Sequence, residues 1–114
     1  MSVSFNGFGE KVLTFLSEEK ITAGYPVKVA DSCIVAACEE GDSFCGIALE
    51  SDGEYTCVQL SGAVTLPYSG EDAPEAGYVF LSADGDGGVA ADEDGREYLV
   101  LSVDTTGNEV TFII

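Results

Sequence analysis

The reading of the fold turns on Gly46-Ile-Ala-Leu-Glu-Ser-Asp-Gly-Glu-Tyr-Thr-Cys-Val-Gln-Leu60. Asp52-Gly53 separates two β-prone runs, which is the strongest short-range hairpin signal. With those two residues as the turn, Ser51 faces Glu54, Leu49 faces Thr56, Ile47 faces Val58 and Cys45 faces Leu60. One face then carries Ile47, Leu49, Val58 and Leu60; the other carries Ala48, Glu50, Tyr55, Cys57 and Gln59. The two faces separate as a half-buried hairpin requires, and a one-residue slip would mix them.

The same pattern extends in both directions. Arg96 to Val103 and Glu109 to Ile114 flank Asp104-Thr-Thr-Gly-Asn108, a second hairpin. Its faces pair Leu99, Leu101 and Val103 with Val110, Phe112 and Ile114. Tyr78–Ala83 joins Val89–Ala91 through Asp84-Gly-Asp-Gly-Gly88 as a third. Further strands are expected at Val12–Ser17, Pro26–Ala30, Ile34–Ala37 and Ala63–Pro67, with a long loop from Tyr68 to Gly77. No stretch has helical apolar periodicity. The expectation is an all-β chain, a small β-barrel or sandwich built from antiparallel hairpins. Residues 11–114 are read as a single β domain and residues 1–10 as an extended N-terminal arm. No internal repeat or second domain is visible in the sequence.

Charge narrows the function. Four Lys and Arg stand against 21 Asp and Glu, with no His, for a formal net charge of −17 on 114 residues. Such a field repels nucleic acid and anionic lipid. The missing histidine removes the side chain best suited to proton transfer at neutral pH. The hydrophobic fraction of 46% is nonetheless too high for a disordered acidic tail. No apolar run is long enough to span a bilayer, and the N-terminus lacks the pattern of a secretory signal. A protein made in a bacterial cytoplasm is expected, acting as a binding or structural module rather than an enzyme, without a cofactor.

Several constellations bear on chemistry. Asp84-Gly-Asp-Gly-Gly88 with Asp92, Glu93 and Asp94 suggests a calcium loop. The EF-hand register fails, because Val89 falls where glycine is required and Gly95 where the bidentate Glu is required. A glycine-rich turn with solvated acids is the better reading. Cys33, Cys38, Cys45 and Cys57 lack the close ligand pairs of a zinc site, so they read as free thiols packing as small hydrophobes. Acid pairs are uninformative in so acidic a chain; a catalytic pair needs one carboxyl with a raised pKa. No Gly-x-Ser-x-Gly is present, and no Ser-x-x-Lys accompanies Lys11, Lys20 or Lys28. Lys20 lies too near the N-terminus to be the modified lysine of a lipoyl-type barrel.

Two terminal features suggest contact instead. Phe5 and Phe8 lie in the Gly-rich arm, and the chain closes on Phe112-Ile113-Ile114. Phe5, Phe8, Phe112 and Ile114 are therefore the candidate partner-contact residues, acting as aromatic anchors or by strand addition. The alternatives are that the phenylalanines cover an open end of the protein's own barrel and that the C-terminal end is pinned in a sheet.

Ile21-Thr-Ala-Gly-Tyr-Pro-Val27, then Gly41-Asp42 with Gly46-Ile47-Ala48, then Val58-Gln-Leu-Ser-Gly62, resembles a pattern in small phage and prophage proteins. Gly77-Tyr78 and the run from Leu99 to Val103 fit its second half. The pattern is similar to that of the capsid-decoration, head-fibre-like β-barrel proteins of tailed phages, over about residues 21–114. The resemblance implies a protein that binds the outside of an icosahedral shell. The expected partner is the major capsid protein, and the expected location is the virion surface. Self-association, with a trimer favoured, and no catalytic residues are also implied. The dense acidic charge and the four cysteines are not required by that pattern. The rival reading is a small carbohydrate- or ligand-binding module using Tyr25, Tyr55, Tyr68 and Tyr98 as stacking surfaces.

Overall fold

A computed structural model describes residues 11–70 and 73–114. Ten strands form in order: β1 (Lys11–Ser17), β2 (Pro26–Asp31), β3 (Ile34–Ala37), β4 (Gly46–Ser51), β5 (Tyr55–Ser61), β6 (Ala63–Ser69), β7 (Gly77–Ala83), β8 (Val89–Ala91), β9 (Arg96–Asp104) and β10 (Glu109–Ile113). The all-β class is as the sequence implies, but the strands close into two small barrels rather than one. The first runs β1-β3-β2-β4-β5 and the second β6-β8-β7-β9-β10, each closing on its first strand. In both, the first and third strands pair in parallel and every other neighbour is antiparallel.

The two barrels are therefore one topology used twice, which corrects the reading of no internal repeat. Local details repeat as well. Cys38 N–H donates to Pro26 O at 3.1 Å, and Asp92 N–H donates to Phe80 O at 3.0 Å at the corresponding place. Asp52 Oδ1 accepts the N–H groups of Glu54 and Tyr55; Asp104 Oδ1 accepts those of Thr106 and Gly107. Each carboxylate thus closes the last hairpin of its barrel as an Asx turn.

The turn chemistry also explains a misplaced register. With Asp52 capping the turn, Ser51 pairs with Thr56 rather than Glu54, and a bulge falls between Ala48 and Glu50. Ala48 consequently points into the barrel, while Leu49 is exposed. In β9 a register shift against Thr111 and Phe112 has a similar effect. Tyr98 and Val100 fill the interior, leaving Leu99 and Leu101 half-buried outside.

Each barrel has its own interior. Ile21, Val27, Val35, Ala48 and Val58 form the first core. Beside it Thr56, fully buried, shares a hydrogen bond with Ser17 and donates one to Ser51, so the polar groups are satisfied. The second core is larger, and two of its members, Phe44 and Ile47, come from the first half of the chain. The Phe44 ring stacks on Tyr98 with centroids 5.0 Å apart and meets Phe112 edge-on at 6.0 Å. The Tyr98 hydroxyl donates to Phe44 O at 3.4 Å. Gly41 N–H donates to Ala83 O, and Ala83 N–H to Asp42 O, so backbone crosses the junction too. Gly87, with φ +90°, lies so close to Tyr25 that an added Cβ would collide with the ring.

Phe44→Ala should cost about 3–5 kcal/mol in urea unfolding, because it empties the joint between the barrels. Leu49→Ala should stay within about 0.5 kcal/mol. Equal costs would mean that Phe44 does not hold the joint.

Candidate functional site

The acidic turns of the second barrel are held by their own carboxylates. Asp84 Oδ1 accepts from Asp86 N–H and Gly88 N–H, and Asp84 Oδ2 accepts from Ser69 Oγ at 2.6 Å. Asp92 Oδ1 accepts from Asp94 N–H and its Oδ2 from Ser82 Oγ. These oxygens hold turns and strands together. Among the described residues no group of three or more His, Cys, Asp or Glu is placed to hold a metal ion.

Three carboxyls, Asp42, Asp52 and Asp92, are held below their usual range by donors around them. The Lys28 ammonium donates to Asp42 Oδ2 at 2.6 Å and, with the N–H of Glu39, holds the Asp42 carboxyl below its usual range. Backbone donors do the same for Asp52, and backbone and Ser82 donors for Asp92. A general acid at neutral pH needs the opposite shift. Burial, reinforced by the Asp42 charge, pushes the Cys38 thiol up to about 12, and burial raises Cys45. Neither is poised as a thiolate. All four cysteines are free thiols, and Cys33 is exposed on the β2–β3 turn.

The four tyrosines do not form one stacking surface. Tyr98 lies in the second core, Tyr25 and Tyr68 are half-buried against the two cores, and Tyr55 alone of the four is exposed. The ligand-module reading loses its stated basis. The candidate contact residues also separate. Phe112 is fully buried at the centre of the second barrel. Ile114 packs half-buried on the same core, its N–H donating to Gly62 O. The C-terminal end is thus pinned in a sheet, not presented as a free apolar end. Phe5 and Phe8 lie outside the described residues.

Exposed apolar side chains instead gather on barrel walls. On the first barrel, Val12 and Leu16 point outward from β1, with Leu16 directly opposite the outward Tyr55 of β5. Thr14 sits between them, its Oγ1 3.6 Å from Cys57 Sγ. On the second barrel, Tyr78, Leu99 and Ile113 form a row across β7, β9 and β10, with Phe80 next along β7. Tyr78 is 70% exposed. A reading made hairpin by hairpin does not show these strips, because β1 pairs with β5 and β7 with β9, strands that are not neighbours in sequence.

No protein-family model matches this sequence, and no curated protein matches it. The functional reading therefore rests on these surfaces and on the sequence resemblance.

Two measurements test the chemistry. A carboxyl with a lowered folded-state pKa stabilises the fold above its unfolded value of about 3.9, and the contribution is lost as pH falls through the folded value. Asp42→Asn should therefore unfold at lower urea than the parent at neutral pH, and the gap should close below about pH 3. A gap that persists in acid would show that the Asp42 charge is not its source. Brief alkylation near pH 8 followed by mass mapping should label Cys33 well before Cys38; the reverse order would contradict the burial of Cys38.

Proposed function

We propose that this protein is a contact module that decorates the outer surface of an icosahedral phage or prophage capsid. It would brace the shell by apolar contact against the major capsid protein. The observation that carries the reading is the strip Val12, Leu16 and Tyr55. Its three exposed apolar side chains flank Thr14 and Cys57 on one barrel wall, on the strand that residues 1–10 lead into. Isolated exposed apolar residues are ordinary, but a cluster on one wall supports an interaction surface. Phe5 and Phe8 extend the same apolar character along the chain.

The mechanism is additive. Each site contributes a modest contact, and the symmetry of a shell multiplies it when subunits are linked. The trimer favoured by the resemblance would supply that linkage. The negative field suits an outer surface, since it repels packaged nucleic acid.

The test is co-sedimentation with shells assembled from a tailed-phage major capsid protein, taken from the genes flanking this one where such a gene is present. The intact chain should pellet with shells in a fixed stoichiometry. Leu16→Ser combined with Tyr55→Ser should weaken binding at least about tenfold, corresponding to about 1.4 kcal/mol, with an unchanged circular dichroism spectrum. A parent protein that stays in the supernatant at every salt concentration would end the capsid reading.

A further inference from the structure

The repeated topology permits each surface of one barrel to be compared with its counterpart on the other. Leu13 and Val64 both face inward, opposite Val58 and Phe112 respectively. Val64 is 8% exposed but Leu13 is 55% exposed. Val29 and Ala83 likewise stand opposite Val35 and Val89. Ala83 is 2% exposed and Val29 is 55% exposed. The differences share a cause. In the second barrel this end is stopped by Phe44 and Ile47, and Ala83 is bonded to the Gly41–Asp42 backbone. In the first barrel the corresponding end is uncovered among the described residues.

The wall that supplies the stopper has a counterpart too. Pro26, Ile47 and Gln59 form a row across β2, β4 and β5, and all three are buried at the junction. Gln59 Nε2 donates there to Ser61 O and Ala63 O. The matching wall on the second barrel has Leu99 and Ile113 in the places of Ile47 and Gln59, beside Tyr78 and Phe80; Tyr78, Phe80 and Ile113 are exposed and Leu99 is half-buried. Each chain thus has one wall-to-end joint made internally, plus one free wall and one free end of the same type.

We infer that a second copy of this chain occupies the free wall. The end of its first barrel, at Leu13 and Val29, would seat on the Tyr78–Leu99–Ile113 row, repeating the internal joint between molecules. The charge distribution favours this pairing over wall-to-wall contact. Lys11 stands at the free end beside Leu13, and Glu97 lies opposite Phe80 on the free wall with Glu93 nearby. Three of the four cations, Lys11, Lys20 and Lys28, belong to the first half of the chain, and Arg96 alone to the second. The contact is heterologous: different surfaces meet, so copies add in a string or ring rather than a two-fold dimer. The intermolecular joint is weaker than the internal one. The β3–β4 connection runs from Cys38 to Cys45 and carries Phe44, whereas its counterpart runs only from Asp92 to Gly95. Screening of the like net charges, whose range is about 8 Å at physiological salt, strengthens the association. It is a property of the chain alone, with or without a shell.

Sedimentation equilibrium across a wide concentration range, at low and moderate salt, tests the inference. The parent mass should rise in steps of 11.9 kDa, more steeply at moderate salt. Val29→Asp and Tyr78→Asp should each remain monomeric, since each removes one of the two surfaces. Mixed in equal amounts they should give a two-chain species and nothing larger, because each retains the surface that the other lacks. Both substitutions fall on exposed side chains, and matching urea midpoints would verify folding. A parent that stays monomeric throughout, single variants that associate as the parent does, or a mixture that fails to pair would each overturn the inference.

Discussion

The structure depends on one aromatic insertion. Phe44 leaves the first barrel and completes the interior of the second, between Tyr98 and Phe112. Each of these barrels is very small, and a domain of about 50 residues on its own is marginal. Sharing a core turns two marginal units into one larger apolar interior. The segment that carries Phe44 is held by the Lys28–Asp42 ion pair and by its backbone bonds to Ala83. That pair is half-buried, and its chief role is to position the connection.

The longer β3–β4 connection is what distinguishes the two repeats. Without it the second barrel would face solvent through an open end, as the first does at Leu13 and Val29. The extra residues of this connection thus carry one side of the joint between the two barrels. Gly87 allows the same approach from the other side. It leaves space for the Tyr25 ring that no larger residue could leave.

Much of this was readable in the sequence, and the failures have specific causes. The β3 and β7–β8 boundaries follow from hydrophobic runs between turn residues, and the structure places them where expected. Register was lost where side chains rewrote the turns. The Asp52 carboxylate accepts two backbone donors and lengthens the hairpin loop, which shifts every pairing beyond it. Tyr98 was read as a surface aromatic because β9 was assigned the wrong inward face. The duplication was the largest omission, although traces were present. Val35-Ala-Ala37 matches Val89-Ala-Ala91 and Glu39-Glu-Gly41 matches Glu93-Asp-Gly95 in the frame of the strand pairing, and Ala23-Gly-Tyr25 recurs as Ala76-Gly-Tyr78 one residue out of that frame. Each match is too short to stand out alone, and they become legible only once strand order aligns them. The open end and free wall were not legible, because they are defined by what the other barrel covers.

Closure of both sheets has a consequence for how crowded copies behave. A sheet with an edge offers unpaired backbone groups to any extended chain, which is the usual route to ladder-type aggregation. Here every strand in each barrel has two hydrogen-bonded neighbours. No strand keeps a wholly free edge; only the β3-facing side of Lys11–Phe15 and the β8-facing side of Ala63–Pro67 lie outside the ladder pairs. Recognition by the barrels therefore falls mainly to side chains. Copies can then be packed densely on a surface and still be released individually, without the near-irreversible stacking that open β-sheets invite.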